Sequence, residues 1–154
     1  PNPTDRAKSG SKRHLWVDQR GAPLSIQVTA ANAHDVTAIM NLLNHPIVRR
    51  PKTKYKVQHL CADKAYDSEE VRNKLHKRNI TPHIRKREYA SDVQTPPPLE
   101  SEQHPARRWV VERTLSWQNN FRSLRTRWTK KSSNWLAFLY LASTLILWRM
   151  CSHD

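Results

Sequence analysis

Apolar and polar positions alternate through residues 15–28, with Leu15, Val17, Leu24, Ile26 and Val28 set on either side of a turn that carries Asp18 and Gly21. A period of two is the mark of a half-buried strand, so this stretch predicts a β-hairpin. The period then lengthens. Val36, Ile39, Met40 and Leu43 recur at helical spacing and Pro46 closes the run, which predicts a helix starting near Asp35, with Asp35 as its cap. Residues 57–62 read as a short strand, 68–78 as a helix whose first turn holds Ser68, Glu69 and Glu70, and "TPHIR", residues 81–85, as another strand. Three consecutive prolines, Pro96 to Pro98, make 86–103 a loop. A long helix is predicted over 105–128, and a second from Asn134, a good N-cap, to Arg149. The last helix is apolar nearly all round, which assigns it to the core. Strands and helices in this order give a mixed α/β layer architecture, a small sheet covered by helices.

Charge sharpens that picture. The chain has 154 residues, enough for one domain, with 27 Lys and Arg against 13 Asp and Glu, a net charge of +14. Such an excess points to nucleic acid as partner. Six Trp and four Tyr are interleaved with the charge, which favours a folded domain over a basic tail, although residues 1–13 read as a loose basic arm. Cys61 and Cys151 form no CxxC pair, so neither a disulfide framework nor a zinc knuckle is indicated, and a reducing, cytoplasmic setting fits. The longest apolar run, residues 135–148, is about 21 Å as helix against about 30 Å of hydrocarbon, too short to span a membrane. No signal peptide is expected, and a first residue of Pro rather than Met leads us to expect a piece of a longer polypeptide.

Candidate chemistry concentrates in two places. On the long helix Trp117, Phe121, Leu124 and Trp128 fall on the face of Val110, whereas Glu112 falls opposite, on the stripe of Arg108 and Asn119. Glu112 is either a surface acid paired with Arg108 or a functional carboxylate. It is the one acid against eight Lys and Arg in residues 103–131. Arg107, Arg108, Arg113, Arg122, Arg125 and Arg127 are candidates for phosphate contact, the alternative for each being a solvated helix face. If about six cations contact phosphate, log K falls with log salt at a slope of roughly −5. Trp109, Trp117 and Trp128 are candidates for stacking on bases, with a place in the core as the alternative that the apolar face favours for Trp117 and Trp128. The second place is "HLCADKAYDS", residues 59–68. Asp63 follows an apolar strand, where α/β sheets hold ligands, or else caps a turn; Asp67 reads as a cap, and His59 and Cys61 as non-ligands.

"ADKAYDS", followed about fifty residues later by "RWVVERTLSWQNNFRSL", resembles the catalytic core of bacterial insertion-sequence DDE transposases. The resemblance extends to "NPTDRAKSGSKRHLWVDQRGAPLSIQVTAANAHD" and to "NWLAFLYLASTLILWR", nearly the whole of 1–154. It implies an RNase H-like mixed sheet flanked by helices, and it implies that Asp63 and Glu112 are catalytic metal ligands. Arg108 matches the Arg of a Tyr, Arg, Glu, Lys signature, but the Tyr and Lys positions fall on Pro105 and Asn119, and Ala65 stands where Gly is common. The first catalytic Asp of the family sits on a strand upstream of residues matched here, so the chain is expected to be a C-terminal portion lacking that strand. Asp18 matches a hairpin-turn residue instead, and Asp5 is a weaker candidate still; His34 and Asp35 match a stretch near the metal site.

The implied reaction is in-line displacement at phosphorus assisted by two Mg²⁺ or Mn²⁺ ions, which need carboxylate oxygens. Implied partners are transposon-end and target DNA, a second copy of the chain, and an upstream polypeptide supplying the first Asp; the location would be the bacterial nucleoid. A non-catalytic DNA-binding remnant or second-frame product, and a basic RNA-binding module, remain the alternatives.

Overall fold

The computed structural model describes residues 10–47, 58–85 and 108–152, with the side chain of Arg108 excepted. Most of the basic arm, the 86–103 loop and Arg107 lie outside the described residues.

The hairpin forms as its alternation predicts. Strand β1 (Ser11–Val17) pairs antiparallel with β2 (Pro23–Ala30), Leu15 facing Ile26 and Trp16 facing Ser25. Asp18 closes the turn, its carboxylate accepting the Arg20 and Ala22 amides at 2.9 and 2.7 Å. Asp18 is thus a turn residue. Helix α1 (Val36–Asn44) follows, burying Ala38, Ile39, Leu42 and Leu43. Asp35 precedes it without capping it: its carboxylate takes Lys12 Nζ at 2.9 Å, because the ammonium reaching across from β1 outcompetes the local amides.

Strand β3 (Gln58–Ala62), a 3₁₀ turn at Lys64–Tyr66, α2 (Glu69–Lys77) and β4 (Ile80–Ile84) make a parallel strand–helix–strand unit. Asn79, at φ 56°, supplies the left-handed residue that ends α2 and starts β4. Leu60, Val71, Leu75, Ile80 and Ile84 join Ile39 and Leu43 of α1 in one core, against which Trp16 of β1 also packs. Among the described residues the expected single sheet stands as two two-stranded sheets.

The expected long helix is divided. Helix α3 (Arg108–Asn119) ends at two asparagines, Phe121 turns extended, and a short α4 (Arg122–Arg125) follows. Asparagine is a weak helix former, and the side chain of Asn119 is held by Arg13 at 2.8 Å. The bend brings Leu124 into a second core with Ile26, Trp135, Leu139 and Ala142. Trp128, past the bend, is 78% exposed rather than part of the core.

Helix α5 (Ser132–Ser152) starts earlier than Asn134 because the Trp135 amide bonds Lys131 O, and Trp135 is buried beneath the guanidiniums of Arg13 and Arg127. At 21 residues it is long and apolar enough to cross a bilayer, longer than its apolar run alone implied. One face, Trp135, Leu139, Ala142, Ser143 and Ile146, packs into the domain, and Gln118 of α3 donates to Ser143 Oγ inside it. The helix is not buried all round: among the described residues it packs mainly on β2, α3 and α4, and Phe138, Leu141 and Trp148 face outward. The result is a mixed α/β domain with α1 on one side of the hairpin and α3 and α5 on the other.

Candidate active site

Asp63 stands where β3 ends. Its backbone is extended and its Oδ1 accepts the Lys64 amide at 2.7 Å, so the carboxylate starts the 3₁₀ turn while remaining half-buried. Asp67, four residues on, is anchored by Arg72 at 2.7 Å, and Arg72 also donates to Ile84 O at 2.7 Å. That pairing holds the turn against β4 and gives Asp67 a structural task.

The turn is tied to the hairpin by Tyr66. Its hydroxyl lies 2.9 Å from Nδ1 of His14, whose Nε2 lies 2.8 Å from Thr29 Oγ1. His14 is 3% exposed, so both ring nitrogens are satisfied out of water. Burial lowers the His14 pKa; the Asp35 charge opposes this and Lys12 adds to it. The Tyr66 phenol is pushed up to about 12 by burial first, then by the charges of Asp35 and Asp63. Asp35 and Asp63 therefore share an electrostatic neighbourhood around a neutral phenol. Sequence reading missed His14, although the period of two sets it on the face of Trp16, which turns to the core.

Glu112 is carried by α3. Val110, Thr114 and Gln118 form the buried stripe of that helix, and Thr114 Oγ1 donates to Gly21 O at 2.7 Å, docking the helix on the hairpin turn. Gly21 has φ 89° and no room for a side chain. Glu112 lies on the opposite, exposed face, as the helical spacing predicts. Among the described residues no group of three or more His, Cys, Asp or Glu side chains is gathered around a common point, so no trio containing Asp63 and Glu112 is assembled.

The arginines divide by task. Arg113 lies between Trp109 and Trp117, 4.8 and 4.9 Å from their ring centroids, and donates to Arg20 O at 2.6 Å. Arg127 donates to Thr129 O, Ser11 Oγ and Lys130 O, closing the segment between α4 and α5. Arg122 and Arg125 are exposed on α4, and Trp109 is 56% exposed. Arg108 opens α3.

The described acids fit hard divalent cations in donor chemistry: Asp63 and Glu112 offer carboxylate oxygen, the ligand type Mg²⁺ and Mn²⁺ require. The transposase DDE domain family model matches residues 1–147. A protein of Burkholderia cepacia, described as a transposase for insertion sequence element IS402, is 39% identical over 160 residues, covering 96% of this chain and 67% of that protein. No solved structure matches.

Proposed function

The chain belongs to the transposase DDE domain family, and from that premise we propose that it cuts and joins DNA in transposition, with Asp63 and Glu112 as ligands of a divalent metal pair. What supports this reading is the position of Asp63 at the end of a parallel strand, where α/β folds hold ligands, within the stretch the family model matches. Mg²⁺ or Mn²⁺, when bound, supplies positive charge at the phosphorus under attack. The chain's own residues do the rest. Asp63 keeps one oxygen on the Lys64 amide, which fixes the direction of the other. Tyr66, protonated at neutral pH, braces the turn through His14 without adding a negative charge. Arg122, Arg125 and Arg108 hold phosphates, and the exposed Trp109 and Trp128 offer stacking faces for unpaired bases.

Residues 1–154 act as part of a catalytic domain in this reading, and a third carboxylate comes from a strand supplied by an upstream polypeptide. Seated between β1 and β3, such a strand would merge the two strand pairs into one RNase H-like sheet. It is supported by the way His14 and Trp16 of β1 already reach Tyr66 and the β3–β4 core without any β1–β3 ladder. Two copies would act together, since two transposon ends are joined in one event.

The test is Mg²⁺-dependent cleavage of duplex DNA by the chain alone, and by the chain produced with the coding sequence upstream of Pro1, in frame or by frameshift. The first is expected to bind DNA and cleave poorly, the second to cleave. Asp63→Asn and Glu112→Gln in the second form forfeit several kcal/mol of charge stabilisation, a rate loss on the order of 10²–10³, with DNA binding retained. Vigorous cleavage by the chain alone removes the need for a further carboxylate; full activity in either variant overturns the assignment of these ligands.

A further inference from the structure

The parallel register of β3 and β4 gathers chemistry on a face that the transposition reading does not use. Leu60 pairs with Pro82, and Ala62 with Ile84, so these positions and Ile80 turn toward the core under α2. By the alternation of strand side chains, His59, Cys61, Thr81 and His83 share the other face, with Cys61 opposite His83. There Nδ1 of His59 lies 2.9 Å from Nε2 of His83, with the ring centroids 5.1 Å apart and the planes tilted by 35°. His59 is exposed and His83 half-buried, so solvent reaches the pair.

The separation has a metal-chelate reading. Two imidazole nitrogens each about 2.05 Å from one ion stand roughly 3.3 Å apart when tetrahedral and about 2.9 Å apart when cis at a right angle. The observed 2.9 Å equals the right-angled edge, while the 5.1 Å between centroids shows the two nitrogens pointing at each other, so both rings must turn for their lone pairs to meet on one ion. We propose that His59 and His83 form a two-histidine site for a late first-row divalent ion of the Ni²⁺ or Cu²⁺ class, which takes imidazole ligands in tetragonal or octahedral geometry. Water fills the remaining positions. The same spacing serves a hydrogen bond in the metal-free protein, in which one facing nitrogen carries the proton. Binding an ion requires both facing nitrogens bare, with the protons on Nε2 of His59 and Nδ1 of His83.

Cys61 is a neighbour in register, but no three-ligand group is gathered among the described residues, so the site is a chelate of two histidines. Its preference also separates it from Asp63, whose carboxylate suits hard cations. The ion would link β3 to β4, the strand pair that carries Asp63 at its end.

Calorimetric titration of the full chain with Ni²⁺ and with Cu²⁺, in millimolar Mg²⁺ to occupy oxygen ligands, tests the site. The chain is expected to bind one Ni²⁺ at this pair. His59→Gln and His83→Gln should each weaken that binding at least about tenfold, while Asp63→Asn and Cys61→Ser leave it within about twofold. The melting temperature should rise with Ni²⁺ in the parent chain and not in the histidine variants, because the ion binds only the folded pair. A readout free of substitution effects on folding is paramagnetic broadening: substoichiometric Ni²⁺ should broaden the ring signals of His59 and His83 before those of other histidines. Undiminished affinity in both histidine variants, a larger loss in Cys61→Ser, first broadening elsewhere, or no binding by the parent chain would each overturn the two-histidine site.

Discussion

Gly21→Ala probes the joint that carries Glu112. Gly21 has φ 89°, a conformation costing an L-residue with a Cβ about 1–2 kcal/mol. A Cβ there would stand 2.9 Å from Thr114 Oγ1 and 3.0 Å from an Arg113 guanidinium nitrogen. The arginine tip can swing aside; Thr114 cannot, being fully buried on α3. Relief therefore comes by moving α3 away from the turn, which lengthens the 2.7 Å bond from Thr114 to Gly21 O and forfeits about 1 kcal/mol. Strain and lost bond together come to roughly 2–3 kcal/mol. For a chain of this length that is a fall in melting temperature of roughly 4–12 °C.

Urea and thermal unfolding of Gly21→Ala, Thr114→Ala and the double variant measure this. Thr114→Ala removes both the obstructing atom and the donor, so adding Gly21→Ala to it should cost about 1 kcal/mol less than in the parent. Strict additivity, or a Gly21→Ala cost below about 0.5 kcal/mol, would refute the claim that the turn and α3 meet through this contact.

Two further outcomes follow from the same site. Burial depresses the His14 pKa in the folded chain, so below its unfolded value of 6.5 the unfolded state binds more protons. The contribution of His14 is fully present above that pH and is lost as pH falls toward the lowered folded value. Stability should therefore decline from pH 7 toward pH 5, and His14→Gln, followed by urea midpoints, should decline less; an unchanged slope removes His14 as its source. Arg122 and Arg125, exposed on α4, are expected to contact phosphate directly. Replacing both with Gln should reduce the magnitude of the salt slope of DNA binding by about 1.8, near 0.9 for each contact, measured by fluorescence anisotropy across a salt series. A parallel shift with the slope retained would place them off the DNA.

Local pattern was sufficient wherever the determinant was local. The hairpin followed from alternation between Leu15 and Val28, the strand–helix–strand unit from the apolar β3, the acid-rich start of α2 and the final "TPHIR", and the outward position of Glu112 from helical spacing. Asp63 at a strand end was legible for the same reason. Tertiary contacts decided what lies beyond a few residues' reach. The bend after Asn119 exists because Arg13 holds its side chain and Leu124 fills a core built by α5, and that bend leaves Trp128 in solvent. Asp35 serves Lys12 rather than its own helix, Arg127 serves Ser11, and His14 serves Tyr66, each across at least twenty positions. The His59–His83 pair needs a parallel register that no periodicity encodes. Periodicity reports which face of an element avoids water, whereas the identity of each polar partner depends on which elements meet, and chain packing sets that.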